Sequence, residues 1–317
     1  MVRRDAYLLA GPTASGKSAA AALLARRMGA AILSADSMLV YKGMDVGTAK
    51  PSADERAEFS MGGIDLVTPA EHFSSGAWLR AAARWLVAVP AERPVVIVGG
   101  TGLYFSALLR GLDRKWTLPP PAYPVLQLDR AVLHARIATR LDEMLAGGAW
   151  IDEVKRLLAD YPVWSDTAQV AIGYREIAAA LEVDKEFKVD KEFKVDKEFK
   201  VDKEFKVDKE FKVDKVVKDL NDFKDLKDPK DLTDLKDLKT FTGLKDPKDL
   251  TGLKEKILVR TRQLAKRQDT WFRHQATPLY VQVGDTADET AENVWRTWQE
   301  KGPWQVSLPE EGEQDAS

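Results

Sequence analysis

The stretch AYLLAGPTASGKSAAAALLARRMG, residues 6–29, decides the fold of this chain. It begins with a short apolar run, continues through the glycine-containing loop GPTASGKS at residues 11–18, and ends in an alanine-rich and leucine-rich segment that stops at a glycine. The pattern predicts a buried strand, a loop, and then a helix over residues 18–28. A strand, a loop of this kind and a helix, in that order, are typical of a phosphate-binding site.

The residue types of this loop suit an anion. Gly11 and Gly16 allow the backbone to curl so that successive N–H groups face one phosphate, and the following helix contributes its positive end. Lys17 adds a formal charge, and the Ser18 hydroxyl is a suitable ligand for Mg²⁺, which we expect as the cofactor. The predicted diphosphate-binding or nucleotide-binding residues are Gly11, Pro12, Thr13, Ala14, Ser15, Gly16, Lys17 and Ser18, with Ser18 also as the metal ligand.

Two further apolar runs, AAILSA at residues 30–35 and PVVIVGG at residues 94–100, read as strands, with a helix predicted over residues 77–89 between them. Strands that are apolar on both sides are typical of a parallel sheet covered by helices. The predicted fold is α/β: a P-loop NTPase-like parallel sheet with helices on both faces and a reduced helical second domain.

Polar side chains follow these strands directly. Asp36 comes after the second strand and Thr101 after the third. Because ligands bind at the carboxyl ends of parallel strands, we expect both side chains to converge with Lys17 and Ser18. The structural alternatives are a helix N-cap for Asp36 and a turn-forming role for Thr101.

Composition limits the classes of function. The formal net charge is −2, so any nucleic acid must bind to a local patch. The absence of cysteine excludes disulfides, thiolate catalysis and cysteine zinc sites. The apolar run near the start is too short for a membrane span. We therefore expect a cytoplasmic protein, taken to be a monomer, that does not bind membranes.

The chain divides into four predicted parts. Residues 1–182 form the P-loop core with a reduced helical part, in which two helices break at Gly147 and Gly148. Residues 183–254 form a charged, low-complexity insert that begins with five tandem copies of VDKEFK. Residues 255–300 contain a basic helix, with six lysines and arginines against two acids over residues 255–275, and the end of the core. Residues 301–317 read as an acidic tail.

The motifs GPTASGKS, SADSMLVYKGMDVGTAKP and VGGTGLY, in this order and spacing, resemble those of the bacterial tRNA dimethylallyltransferases. The later segments RIATRLDEMLAGGAWIDEVKRLL, AIGYREI and RTRQLAKRQDTWFR resemble the same family, so the resemblance covers roughly residues 1–112, 125–182 and 255–275. It implies transfer of a dimethylallyl group from dimethylallyl diphosphate to N6 of the adenosine 3′ of the anticodon, position 37, in tRNAs that read codons beginning with U.

The resemblance also assigns roles. It implies that Asp36 is the catalytic base that orients N6, that Thr101 is a second catalytic residue near the reacting centre, and that tRNA and dimethylallyl diphosphate are the partners. Arg273 joins the strip of basic residues that would contact tRNA phosphates. The implied tRNA-binding residues are Asp36, Ser37, Met38, Leu39, Arg260, Arg262, Gln263, Lys266, Arg267 and Gln268. The alternative for Gln263 and Gln268 is a role in packing, and the alternative for the basic strip is a solvated helix face.

This chain departs from the family in two places that bear on tRNA. Leu39 stands where the family has a glutamine that contacts the target adenosine. The helical insertion that follows the end of the first block in relatives is missing after Gly111 and Leu112. Two alternatives to the enzyme therefore remain at this point: a degenerate relative that binds diphosphate or tRNA without turnover, and a P-loop kinase or nucleotide-binding protein.

Overall fold

The computed structural model describes residues 2–110, 121–181, 250–274 and 278–308. The VDKEFK repeats and the end of the acidic tail lie outside the described residues, so the predictions made for them stay predictions.

The described residues contain one sheet of seven strands, in the order β3-β2-β4-β1-β5-β6, with β7 paired to β1 beside this path. Six strands run parallel, as predicted, and β7 runs antiparallel to the first half of β1. The strands are β1 (Val2–Ala10), β2 (Ala31–Ser34), β3 (Met61–Gly62), β4 (Val95–Gly99), β5 (Tyr123–Gln127), β6 (Pro278–Gln282) and β7 (Trp304–Leu308).

Ten α-helices lie within the described residues, and none of them is long and apolar enough to cross a membrane. They are α1 (Lys17–Met28), α2 (Ala53–Phe59), α3 (Ser75–Ala88), α4 (Gly102–Arg110), α5 (Arg130–Leu145), α6 (Ala149–Asp160), α7 (Asp166–Gln169), α8 (Tyr174–Ala180), α9 (Leu250–Arg273) and α10 (Ala287–Lys301).

Helices cover both faces of the sheet, which confirms the predicted α/β architecture. On one face, α1 and α10 pack on the strands, and the indole of Trp298 donates a hydrogen bond to the carbonyl of Leu8 at 3.0 Å. On the other face, the indole of Trp78 in α3 donates to the carbonyl of Ser34 at 3.0 Å. Phe105 in α4 stacks there on the ring of Tyr123 in β5.

The remaining helices, α5 to α9, pack beside the sheet within the same compact unit. The predicted break between α5 and α6 is confirmed, because Gly147 and Gly148 have φ angles of 71° and 77°, in the left-handed region that favours glycine. The ring of Trp150 in α6 contacts Tyr174 in α8 edge-on, which holds these two helices together.

Two boundaries differ from the sequence prediction. Helix α9 begins at Leu250, five residues inside the segment predicted as a charged insert from 183 to 254. Strand β7 lies inside the segment predicted as an acidic tail from 301 to 317. The tail composition misled the prediction because its acidic residues begin only after residue 309, whereas WQVSL pairs with β1 along residues 2–6.

Candidate active site

The phosphate loop follows β1 and leads into α1. Gly16, the residue before the helix, has a φ of 87°, and Ala14 has a φ of 61°, which is rare for a residue with a side chain. A Cβ added at Gly11 would lie 3.0 Å from the hydroxyl of the fully buried Ser15, so the loop is tightly wound. The backbone N–H groups of Ala14, Gly16, Lys17 and Ser18 find no acceptor within the described residues and are available to an anion.

Lys17 carries the charge of the loop. Its ammonium donates a hydrogen bond to the carbonyl of Pro12 at 3.2 Å. Burial lowers the pKa of Lys17 to about 8, the nearby carboxylate of Asp36 opposes this shift, and the positive charge of Arg140 adds to it. These three side chains are therefore close enough to interact electrostatically.

Asp36 and Thr101 meet where β2 and β4 end. One carboxylate oxygen of Asp36 accepts a hydrogen bond from the N–H of Met38 at 2.9 Å, and the other has no hydrogen-bond partner within the described residues. The hydroxyl of Thr101 accepts from the N–H of Ser37 at 2.9 Å and donates to the Ser37 hydroxyl at 3.2 Å. No helix begins directly after Asp36, which argues against the N-cap alternative. The structure thus brings Lys17, Asp36 and Thr101 to the same edge of the sheet.

Glycines around Thr101 allow close packing. A Cβ at Gly99 would lie 2.1 Å from the carbonyl of Ala35 in the neighbouring chain segment, and a Cβ at Gly102 would lie 2.2 Å from the indole of Trp271. The turn between β4 and α4 is therefore pressed between the end of β2 and helix α9. Side chains at these positions would push the Thr101 hydroxyl away from Ser37.

The segment that follows Asp36 is held by the helices beside the sheet. The buried carboxylate of Glu153 accepts hydrogen bonds from the N–H of Val46 at 2.9 Å and from the hydroxyl of Tyr174 at 2.6 Å. The same Tyr174 hydroxyl accepts from the N–H of Gly47 at 3.1 Å. This network connects the motif GMDVGTAKP to AIGYREI, which explains why the two motifs come together in one site.

Leu39 lies in this segment and is half-buried. Its carbonyl accepts a hydrogen bond from the N–H of Asp65 at 3.1 Å. The side chain has no polar atom, so any contact that it makes with a base is apolar. It cannot supply the hydrogen bond that a glutamine would make.

Two arginines that the sequence analysis missed face the phosphate loop from α5. The guanidinium of Arg140 repels the ammonium of Lys17 and is attracted by the carboxylate of Asp36. A guanidinium nitrogen of Arg136 lies 3.8 Å from the position of a Cβ built on Gly16. The signal was present in RIATR, because residues four apart lie on the same side of a helix. The two arginines add positive charge beside the loop.

The predicted tRNA-binding strip on α9 is only partly exposed. Gln263, Lys266 and Arg267 are exposed, whereas Arg260 forms an ion pair with Glu176. The other strip residues have different surroundings. Arg273 pairs with Asp269, and both ends of the Gln268 amide are bonded to the backbone. The Nε atom of Arg262 is buried and has no hydrogen-bond partner among the residues that the structure describes.

Two cations beside the strip were also missed. Burial lowers the pKa of Arg175, and repulsion from Arg260 adds to the shift. Burial also lowers the pKa of Lys256, where attraction by the carboxylate of Glu176 opposes the shift and repulsion from Arg260 adds to it. The carboxylate of Glu176 neutralises one of these three cations, and the remaining positive charge favours an anionic partner, such as the phosphates of a nucleic acid. The basic surface therefore extends from α9 to the start of α8, where Arg175 lies in the AIGYREI motif.

A separate cavity of about 590 Å³ opens at the opposite edge of the sheet, near Asp5, Arg27 and Trp295. It contains no residue of the phosphate loop, nor Asp36 or Thr101. The convergence of charged and hydrogen-bonding groups at the carboxyl edge, rather than the size of a cavity, identifies the candidate active site.

Comparisons with known proteins agree on one family. The IPP transferase family model matches residues 39–124 and 115–201, and the isopentenyl transferase family model matches residues 4–61. A tRNA dimethylallyltransferase from Methylibium petroleiphilum is 42% identical over 175 residues, which are 52% of this chain and 52% of that protein. One from Burkholderia mallei is 44% identical over 141 residues, 43% of this chain and 44% of that protein. The chain spans about half the length of these two curated relatives.

Solved structures share the fold. A full-length tRNA isopentenylpyrophosphate transferase from Bacillus halodurans matches with a TM-score of 0.62 and 23% identity, over 94% of this chain and 98% of that chain. A eukaryotic dimethylallyltransferase acting on tRNA matches with a TM-score of 0.62 and 16% identity, over 96% of this chain and 82% of that chain. The matches do not favour a P-loop kinase or a degenerate binding protein.

Proposed function

Because the chain belongs to the IPP transferase family, we propose that it transfers a dimethylallyl group from dimethylallyl diphosphate to N6 of the adenosine at position 37, 3′ of the anticodon, in tRNAs that read codons beginning with U. The observation that carries this proposal is that Lys17, Asp36 and Thr101 lie at one edge of the sheet, beside a loop with N–H groups that have no acceptor in the part of the chain that the structure describes. The reaction needs an anion site and a base next to each other, and this edge offers both.

The phosphate loop would hold the diphosphate. As the bond between the dimethylallyl carbon and the diphosphate oxygen breaks, negative charge grows on that oxygen. Lys17, Arg140 and the free N–H groups of the loop would stabilise this charge, since donors already in place cost no reorganisation. Binding of the anion would also raise the pKa of Lys17 from about 8, because it favours the charged form of the lysine.

We propose Mg²⁺ as the cofactor, with Ser18 as its protein ligand. The described residues contain no group of three or more His, Cys, Asp or Glu side chains that could hold a metal ion. The residues present still fit Mg²⁺, which is commonly held by one or two side chains together with substrate phosphates and water. When bound, Mg²⁺ neutralises charge on the leaving diphosphate.

Asp36 would act on the adenosine. The N6 amine attacks the dimethylallyl carbon, the carbon–nitrogen bond forms as the carbon–oxygen bond breaks, and the amine loses a proton. The carboxylate oxygen of Asp36 that has no partner within the described residues would accept this proton. Thr101 would support the reacting centre, because its hydroxyl holds the N–H of Ser37, the residue next to Asp36.

The tRNA would reach this edge over the basic surface around Arg175, Lys256 and Arg260. The target base has to leave its stack to approach Asp36, as bases do in enzymes that modify them. We place this reaction in the cytoplasm and propose that the protein acts as a monomer.

The test uses the full chain with Mg²⁺, radiolabelled dimethylallyl diphosphate and unmodified tRNA that carries an adenosine 3′ of the anticodon. Label should enter the tRNA, and Asp36→Ala should abolish this incorporation while it retains pyrophosphate binding. The control is a tRNA with guanosine at the target position, which should stay unlabelled. Wild-type protein that binds pyrophosphate but transfers no label would refute the proposed transfer and leave a binding function.

A further inference from the structure

The side chain of Gln268 connects helix α9 to two loops of the candidate active site. Its amide oxygen accepts a hydrogen bond from the N–H of Thr13 in the phosphate loop at 2.8 Å. Its amide nitrogen donates to the carbonyl of Gly100, in the turn between β4 and α4, at 3.0 Å. The sequence resemblance implies a tRNA contact for this residue, but both ends of its amide are already occupied by the protein.

The surroundings of Gln268 fix the orientation of its amide. A Cβ built on Gly100 would lie only 2.5 Å from the Gln268 amide nitrogen, so the glycine makes room for this contact. One turn further along α9, Trp271 lies against Gly102, and the fully buried Phe272 packs edge-on against Phe105. Helix α9 is therefore anchored where Gln268 reaches the loops.

We propose that Gln268 is a positioning residue that gives the phosphate loop its anion-binding shape. This inference rests on the proposed function in one respect, because it takes the diphosphate of the substrate as the ligand of the loop. It goes beyond that function by assigning a residue of the basic helix to the diphosphate site instead of to tRNA.

The conformation of the loop explains why such a restraint is needed. Ala14 has a positive φ, which residues with side chains seldom adopt unless their neighbours hold them in place. Gln268 binds the N–H of the preceding residue, Thr13, and so restrains the chain just before Ala14. The N–H of Thr13 is then used by the protein, while the N–H groups of Ala14 and Gly16 stay available for the diphosphate.

The second hydrogen bond extends this restraint to the other half of the site. Gly100 directly precedes Thr101, whose hydroxyl holds Ser37 beside Asp36. One amide therefore sets the spacing between the phosphate loop and the segment that carries the proposed base. Loss of the amide would loosen both at once.

The experiment measures binding of inorganic pyrophosphate, with Mg²⁺, and of unmodified tRNA to the full chain. Gln268→Met keeps the length of the side chain but removes both hydrogen bonds, and Gln268→Asn keeps an amide that is too short to reach both loops. The matched control is Gln263→Met, a change of an exposed glutamine on the same helix. Urea unfolding of each variant shows whether it folds.

Both Gln268 variants should bind pyrophosphate about tenfold more weakly, the effect on an equilibrium constant of losing hydrogen bonds of ordinary strength. Their affinity for tRNA should stay within about twofold of wild type. Gln263→Met should show the reverse pattern, with weaker tRNA binding and unchanged pyrophosphate binding. If label transfer can be measured, the Gln268 variants should raise KM for dimethylallyl diphosphate and lower kcat, while KM for tRNA stays unchanged.

Several results would overturn the proposal. Unchanged pyrophosphate affinity in Gln268→Met would show that Gln268 does not shape the phosphate loop, and a larger loss for tRNA than for pyrophosphate would make it a tRNA contact. Failure of both Gln268 variants to fold would make it a structural residue only, and a wild-type protein that does not bind pyrophosphate would remove the site itself. A wild-type protein that binds pyrophosphate without transferring label would refute the proposed function alone, since the pyrophosphate comparison still decides the role of Gln268.

Discussion

Replacing Lys17 by methionine is expected to stabilise the protein at pH 7 and to abolish its binding of pyrophosphate. The folded chain buries the ammonium of Lys17, and burial lowers its pKa from the ordinary 10.5 to about 8. Methionine has a similar length and carries no charge, so it removes the cost of burying the ammonium group. The same change removes the main positive charge of the phosphate loop.

The size of the effect follows from the pKa. A shift from 10.5 to about 8 corresponds to a cost of about 3 kcal/mol for the charged lysine in the folded state. Methionine also leaves the carbonyl of Pro12 without the hydrogen bond from Lys17, which costs about 1 kcal/mol. We therefore expect the free energy of unfolding of Lys17→Met to exceed that of wild type by about 2 kcal/mol at pH 7.

The stability difference between Lys17→Met and wild type should change with pH, in a direction that the lowered pKa of Lys17 determines. Below pH 8, Lys17 is charged in both the folded and the unfolded chain, and the folded state bears the full cost. Between about pH 8 and 10.5, the unfolded chain binds more protons than the folded one, so the free energy of unfolding of wild type rises with pH. The advantage of the variant should therefore shrink across this window and disappear by about pH 10.

Urea unfolding of wild type and Lys17→Met at pH 7 and at pH 10 measures this difference directly, and other titrating groups cancel in the comparison. Calorimetric titration with pyrophosphate at pH 7 checks the loss of binding. A variant that is less stable than wild type at pH 7, or a stability difference that is the same at both pH values, would refute the reasoning.

Three other substitutions test the rest of the site. Arg140→Gln should lower pyrophosphate affinity about tenfold. Because Arg140 lowers the pKa of Lys17, the variant should also keep Lys17 charged to a higher pH, so that its pyrophosphate binding weakens at a higher pH than in wild type. Calorimetry over a pH series measures both effects. Thr101→Val removes an acceptor of a backbone N–H, so it should lower the free energy of unfolding by about 1 kcal/mol and slow label transfer more than it weakens pyrophosphate binding. Gly173→Ala should cost more than about 2 kcal/mol in urea unfolding, because Gly173 has a φ of 92° and a Cβ there would lie 2.0 Å from the ring of Trp150.

Each of these substitutions has a control or a contradicting result. Gly147 has a similar positive φ, but a Cβ built there has no contact within 4 Å. Gly147→Ala should therefore lower the free energy of unfolding by only about 1 kcal/mol. Equal losses at the two glycines would contradict the packing argument. Thr101→Ser keeps a hydroxyl and should behave nearly as wild type, whereas unchanged transfer in Thr101→Val would remove Thr101 from the reacting centre. A pH profile of pyrophosphate binding that is unchanged in Arg140→Gln would show that this arginine does not act on Lys17.

The parts of the fold that the sequence predicted well have strong local signals. The strand before the phosphate loop, helix α1 and the break at Gly147 and Gly148 follow from apolar periodicity and from glycines in the left-handed region. Strands β3, β5, β6 and β7 were missed, because none of them is a continuous apolar run of ordinary length. Strand β3 has only two residues, β5 and β6 each contain a proline, and β7 contains two polar residues. Such strands form through the sheet that receives them rather than through a local preference.

The residues of the candidate site also fall into two groups, those that local sequence signals predicted and those that only the structure reveals. Lys17, Asp36 and Thr101 were found because each directly follows a predicted strand or glycine loop, and parallel strands end at a common edge. Nothing in the sequence separates Gln268 from Gln263, since both are polar residues on one basic helix. Only the rotation of α9 against the sheet shows that one faces the phosphate loop and the other is exposed.

The pairing of β7 with the first half of β1 has a consequence for how the protein folds. The strand that leads into the phosphate loop is synthesised some 300 residues before its antiparallel neighbour, residues 304–308. During synthesis, that half of β1 has an open edge of backbone N–H and C=O groups on this side. Contacts between such distant residues slow folding, so the strand before the phosphate loop gains this neighbour only after residues 304–308, which follow the repeats, have been translated.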